Sequence, residues 1–300
     1  MSTSAEPLAV AGSPQAADPA KSEEKIASRE RLRLLMRTPT FLAGALILAL
    51  WVISALFGDA LAPFSPFQDS LLDKLATPSS EHWFGTDRLG RDIFSRVLVG
   101  ARDILIVAPL ATLVGTVLGT AIGLIAGYFR GAVEEVLMRV IDAFLAVPLV
   151  IIGLLALVAL GPSRVTVIAV IGAVFAPIIA RTVRAAVLAE RELEYVAAAR
   201  LRNERAPYIM FAEILPNVMA PVLVEFTVRL GYAIFAIATL SFLGFGIQPP
   251  APDWGLQIFE HYGLISGGYW WPVLFPALAI ASLVIGVNLV SDGVTRVYER

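Results

Sequence analysis

The chain has no cysteine, which excludes disulfide frameworks, thiol nucleophiles and thiolate metal sites together. Histidine is nearly missing too. His82 and His261 are the only two; neither has neighbouring ligands at metal spacing, so both are expected at external surfaces or interfaces. Lysine stops at Lys74, and no G-x-x-x-x-G-K-[ST] run occurs, which removes a phosphate-cradling loop. With no nucleophile–base arrangement either, the chain is not expected to be an enzyme. Asp, Glu, Lys and Arg make up only 16% of 300 residues, against roughly 25% in soluble proteins. Their signs nearly cancel, 23 basic against 25 acidic, leaving no basic excess for nucleic acid.

What fills the space is apolar. Hydrophobic residues reach 57% and the mean hydropathy is +0.76, more than a soluble core can hide. Crossing a bilayer takes about 20 mostly apolar residues. Charge-free runs occupy 38–58, 104–129 and 143–163. Further spans are read at 165–180 (extended through Arg181 and Arg184), 217–247 and 262–291. These runs do not alternate and exceed a barrel strand in length, which disfavours a β-barrel. The expectation is an all-α membrane protein with six transmembrane helices.

Residues 1–25, rich in Ala, Ser, Pro and Glu, read as a disordered polar tail. Basic residues gather in 21–37, 130–139 and 181–205 and at Arg296 and Arg300. The alternate segments hold Lys74, Arg88, Arg91, Arg96, Arg102 and Arg164. The positive-inside rule then places both termini in the cytoplasm. Three regions follow: a disordered cytoplasmic tail over 1–37; a first transmembrane helix with an external segment over 38–102; and a five-helix core over 103–300, interrupted by a cytoplasmic loop over 189–216.

Gly115, Gly119, Gly123 and Gly127 repeat at four-residue steps on one helix face, where missing side chains let another backbone approach. This predicts helix packing or a pore lining. Glu225 and Arg229 share a face of the fifth span. Charges inside hydrocarbon need pairing or hydration, so they line a translocation path, pair internally or lie near the membrane surface. Asp142 reads as interfacial or as a buried acid. Within 190–202, Leu193, Val196, Ala197 and Leu201 fall approximately on one face among charged residues, predicting an amphipathic helix. Asn203 suits a left-handed helix end, Pro207 the first turn of a second short helix, and Pro216 its close. A helix–turn–helix of this length exceeds a simple connector; it docks on a partner or lies on lipid.

Four stretches resemble the inner-membrane permeases of bacterial ATP-driven importers of the dipeptide/oligopeptide/nickel family, C-type subunit. They are HWFGTDRLGRDIFSR from His82, GYFRG from Gly127 with Arg139 and Asp142 beyond, the loop 189–217, and SFLGFGIQPPAPDWG from Ser241. The family's loop usually reads Glu-Ala-Ala, three residues, Gly, and ends in Leu-Pro. Here Ala197, Ala198 and Ala199 occupy the Glu-Ala-Ala positions and Asn203 the glycine, and the common Leu-Asp-Pro ending is missing. The resemblance implies a complex with membrane lipid around it: a second homologous permease, two ATPase subunits and an extracytoplasmic solute-binding protein. ATP and Mg then belong to the ATPases, and this chain carries no cofactor. The implied ATPase-coupling residues are Glu190, Leu193, Glu194, Tyr195, Ala197, Ala198, Ala199, Arg200, Asn203 and Pro207. Glu225 and Arg229 fall to the translocation path, and Pro250, Asp253 and Trp254 to docking of the binding protein. The implied solutes are di- or oligopeptides, with nickel complexes, glutathione or opine-like solutes as alternatives. A stand-alone secondary transporter is the rival from another class, although no internal repeat supports it.

Overall fold

The computed structural model describes residues 35, 36 and 38–298, with side chains to 296. Apart from residues 35 and 36, the tail expected over 1–37 lies outside them. The described chain is helical; its one β pairing is an isolated antiparallel bridge between Thr86 and Asp92. Helix α1, Pro39–Leu61, starts with proline in its first turn, where no backbone donor is needed. Helix α2, Ile93–Phe129, is 37 residues long and is capped by Asp92, whose Oδ2 accepts from the Ser95 amide at 2.8 Å. Then come α3, Gly131–Leu145, α4, Leu149–Leu160, and α5, Arg164–Glu190. A short helix, α6, Glu194–Leu201, leads through turns to α7, Met219–Phe242. Helix α8, Trp254–His261, and a 3-10 turn precede α9, Trp271–Tyr298.

Among the described residues five helices are long and apolar enough to span a membrane, or six if α3 and α4 form one broken span. The continuous helix expected over 143–163 is therefore corrected. Its first residues end α3, the chain bends by 86°, and α4 has only 12 residues. Pro148 explains the break: it donates no amide hydrogen bond and disfavours helical geometry at Val147. The second span also begins eleven residues before the charge-free run, because Arg96, Arg102 and Asp103 are themselves helical.

The glycine stripe is a packing face. A Cβ on Gly119 would stand 2.7 Å from the Ala176 carbonyl oxygen, and one on Gly123 2.8 Å from that of Ala180. Helices α2 and α5 thus meet backbone to backbone, with Ile179, Val183 and Val187 fully buried between their neighbours. On the far side α1 packs on α9 and turns Leu46, Leu50 and Phe57 outward, a surface suited to lipid.

Segment 62–92 folds against the helices, which corrects the expectation of two surface histidines. His82 is buried, with Nδ1 2.9 Å from Asp92 Oδ1. His261 is buried too, and its Nδ1 lies 2.6 Å from the Gln257 carbonyl; burial holds its imidazole below the ordinary range. Tryptophans fasten the same end. Trp271 donates to the Thr86 carbonyl at 3.1 Å and Trp254 to that of Val97 at 2.9 Å, while Phe84 stacks on Phe275.

Candidate functional site

Helix α5 runs on to Glu190, so the amphipathic helix expected over 190–202 starts four residues late, at Glu194. Glu190 accepts from Tyr195 Oη at 2.8 Å across the turn. Partial burial, together with that hydrogen bond and the Glu190 charge, pushes the Tyr195 phenol up to about 12. The expected apolar face is divided. Val196 and Ala199 are fully buried, whereas Leu193, Ala197, Ala198 and Leu201 point outward, Leu201 at 85% exposure. Helix α6 is therefore held from beneath by two small anchors and presents apolar atoms on its free side.

Asn203 ends α6 at φ +55°. The Glu204 amide donates to the Ala199 carbonyl at 3.2 Å and the Asn203 amide to that of Arg200 at 3.0 Å, the paired bonds of a Schellman end. Asparagine keeps the turn that glycine would otherwise make. Pro207 sits in the first turn of Ala206–Tyr208 as expected. The chain then enters a π-helical stretch, Ile209–Ile214, for which the sequence carries no period. Pro216 does not close the segment: it opens the turn Leu215–Asn217, which leads directly into α7. Beside α6, Tyr208 and Phe211 are about half exposed. Sequence reading passed over both; the signal was an aromatic pair three apart inside a charged loop.

Ion pairs surround this end. Arg184 Nε lies 2.7 Å from Glu134 Oε1, Arg181 pairs with Asp142, and Arg130 Nη1 lies 3.1 Å from Glu192. Both partners in the Arg181–Asp142 pair are half exposed or more, which fits the interfacial reading of Asp142.

Glu225 and Arg229 form an i,i+4 pair on α7 with 2.9 Å between Oε2 and Nε. Thr182 of α5 donates to the other Glu225 oxygen at 2.8 Å, and the Arg229 guanidinium lies against the Tyr232 ring. Arg229 is about 15 Å into the helix at 1.5 Å per residue, well away from its end. The two charges are thus mostly covered and mutually neutralised, with 17% and 15% of the Arg229 and Glu225 side chains open.

The three expected docking residues separate. Pro250 is exposed on the rim of a cleft of ≈ 580 Å³ that Asp59, Arg102, Asp103 and Arg164 also line. Asp253 and Trp254 are interior, at 2% and 1% exposure, so neither reaches a partner. Asp253 caps α8, accepting from the Leu256 amide at 2.8 Å, and its burial pushes the carboxyl up to about 6. Their spacing after the prolines marks a helix start, and that is the role they fill. Among the described residues no group of three His, Asp or Glu side chains is placed to hold a metal ion.

Comparison with known proteins identifies the family. Residues 119–300 match the family of binding-protein-dependent transport system inner membrane components. The dipeptide transport system permease protein DppC of Alkalihalophilus pseudofirmus is 35% identical over 265 residues, covering 88% of this chain and 87% of that one. The glutathione transport system permease protein GsiD of Pectobacterium atrosepticum is 35% identical over 267 residues, 88% of each chain. In fold, the chain is similar to a solved structure of the MetNI methionine ABC transporter in inward-facing conformations. The TM-score is 0.55 at 20% identity, over 68% of this chain and 97% of that one. The chain therefore belongs to the binding-protein-dependent transport system inner membrane components, as a non-enzymatic permease subunit of an ABC transporter in the inner membrane.

Proposed function

We propose that this chain is one of two permeases in an ATP-driven importer of di- or oligopeptides, worked from the cytoplasm through α6. The observation that carries this reading is α6 itself: a helix anchored by Val196 and Ala199, offering Leu193, Ala197, Ala198 and Leu201 to a partner. A chain with no nucleotide-binding loop uses ATP only through contacts that differ between the states of a partner. Both termini and the loop 189–216 lie on the cytoplasmic side, where the basic residues concentrate. Segment 38–102 supplies the first span and the external segment, and 103–300 the permease core. Two ATPase subunits carry ATP and Mg. One seats α6 together with Glu190, Tyr195, Arg200 and the turn from Asn203 to Pro207. A solute-binding protein docks on the external face at the rim around Pro250.

Exposed alanines suit close docking, so Ala198→Arg is expected to release the ATPases and abolish uptake while leaving membrane insertion intact. Wild-type co-purification and transport would contradict the reading. Glu225 and Arg229 are assigned to the wall of the translocation path as a neutralised pair. Exchanging both charges is expected to retain more uptake than reversing either one; equal loss in all three variants would remove the pair from the mechanism. Glutathione, itself a tripeptide, is the second reading, favoured by the equally similar glutathione permease relative. The solute retained by the co-purified binding protein distinguishes the two.

A further inference from the structure

Tyr128, the next-to-last residue of α2, has a role that the docking surface leaves unassigned. The guanidinium carbon of Arg200, on α6, lies 5.6 Å from the centre of its ring, and that of Arg191, at the end of α5, lies 6.0 Å away. Both distances are within cation–π range. Neither arginine has a carboxylate within ion-pair distance among the described residues, although five other cations at this end do. Arg191 is short of partners in a second way: its Nε and Nη1 are buried without a hydrogen bond. Two like charges repel, and the negative face of one aromatic ring draws both toward the same point.

The position matters because of what α2 is joined to. From Pro109 onward its glycine face is locked on α5, with Gly115, Gly119, Gly123 and Gly127 each leaving no room for a Cβ. Toward the other end, the Val97 carbonyl accepts from Trp254, beside the rim around Pro250. Arg200 also supplies the carbonyl that accepts from the Asn203 amide, so a shift of α6 carries its arginine with it.

We propose that Tyr128 is a positioning residue that fastens α6 and the end of α5 to α2, so that displacement of α6 by its ATPase reaches the membrane-spanning pair α2–α5. This rests on the coupling reading of α6. The ring face does the work and the hydroxyl does not, because Tyr128 Oη makes no hydrogen bond among the described residues.

The test uses the intact complex in liposomes, with both permeases, the ATPases and the binding protein purified with its own solute. The readout is the stimulation of ATP hydrolysis by binding protein. Tyr128→Leu keeps the bulk and removes the ring, and is expected to lower that stimulation roughly five-fold, the scale of one cation–π contact, with normal assembly. Tyr128→Phe and Tyr128→Trp are expected to retain it. Unchanged stimulation in Tyr128→Leu, or an equal loss in Tyr128→Phe, would overturn the proposal. If Tyr128→Leu does not assemble, Arg191 decides: Arg191→Lys keeps the stimulation and Arg191→Gln loses it, whereas equal behaviour of the two rejects the contact. Ala198→Arg keeps the two ideas apart. If it leaves the ATPases bound, the docking reading fails. If it releases them while Tyr128→Leu is silent, only the relay fails.

Discussion

The end of the bundle that carries residues 62–92 holds a buried network of charges, whereas three of the ion pairs at the end that carries α3 and α6 are open. At the first, Asp87 and Arg91 meet at 2.7 Å with side chains 1% and 9% exposed, and Arg91 reaches Glu260 at 3.3 Å. Arg96, 1% exposed, donates to the Pro66 carbonyl at 3.0 Å. At the second, Arg130–Glu192, Arg139–Glu135 and Arg181–Asp142 are all half exposed or more. Buried pairs are costly to separate because each partner is left unsolvated. Exposed pairs exchange for water at little cost. One end therefore resists rearrangement more than the other, as the proposed drive through α6 requires.

Breaking the buried side of the contrast has the largest expected effect. Asp87→Ala leaves Arg91 without its nearest partner and strips Arg96 and His261 of a neighbouring carboxylate at 3.9 Å. It should cost about 3–5 kcal/mol, read as a large drop in melting temperature in detergent or as loss of folded protein. A melting temperature within error of wild type would show that this network is not what holds the end together.

Asp253 sharpens the contrast through pH. Its folded carboxyl keeps its proton to about 6, whereas the unfolded one releases it near the usual ~3.9. Between those values the folded chain binds more protons, so stability falls as pH rises from ~4 to ~6 and levels off above. The fall is on the order of 2–3 kcal/mol at about 1.4 kcal/mol per unit. Asp253→Asn can still accept from the Leu256 amide and should flatten the profile; an unaltered profile would assign the slope to other groups. At the exposed end, Arg139→Ala removes a pair whose side chains are 77% and 62% open. It should change stability by less than ~0.5 kcal/mol, and a clear loss on thermal unfolding would cancel the distinction between the ends.

The spans were legible wherever charge was missing, because a charge-free run of bilayer length has few soluble alternatives. The same criterion failed at the start of α2. Arg96 belongs to a helix and is buried, hydrogen-bonded to a carbonyl thirty residues away and facing Asp87 at 3.9 Å, partners that no local pattern announces. The two histidines were misplaced for a related reason: a polar segment looks like loop until Asp92 and the tryptophans of α8 and α9 hold it down. Asn203 and Pro207 were readable because backbone geometry restricts which residues fit there. The break at Pro148 had its cause written in the chain, but hydropathy averages hide a single missing donor. Tyr128 drew no notice in its own sequence context. Its neighbours on α5 and α6 come from residues 63 and 72 positions later, and only the tertiary structure brings them together.

The elbow at Pro148 has a bearing on what this subunit can set against lipid. Ala146, Val147 and Pro148 are all open on its outer side, where the helical ladder is interrupted and carbonyl oxygens are left to be solvated. Oil cannot do that. The corner is thereby kept out of the fatty-acyl phase and needs headgroups, a neighbouring subunit or a wet passage beside it.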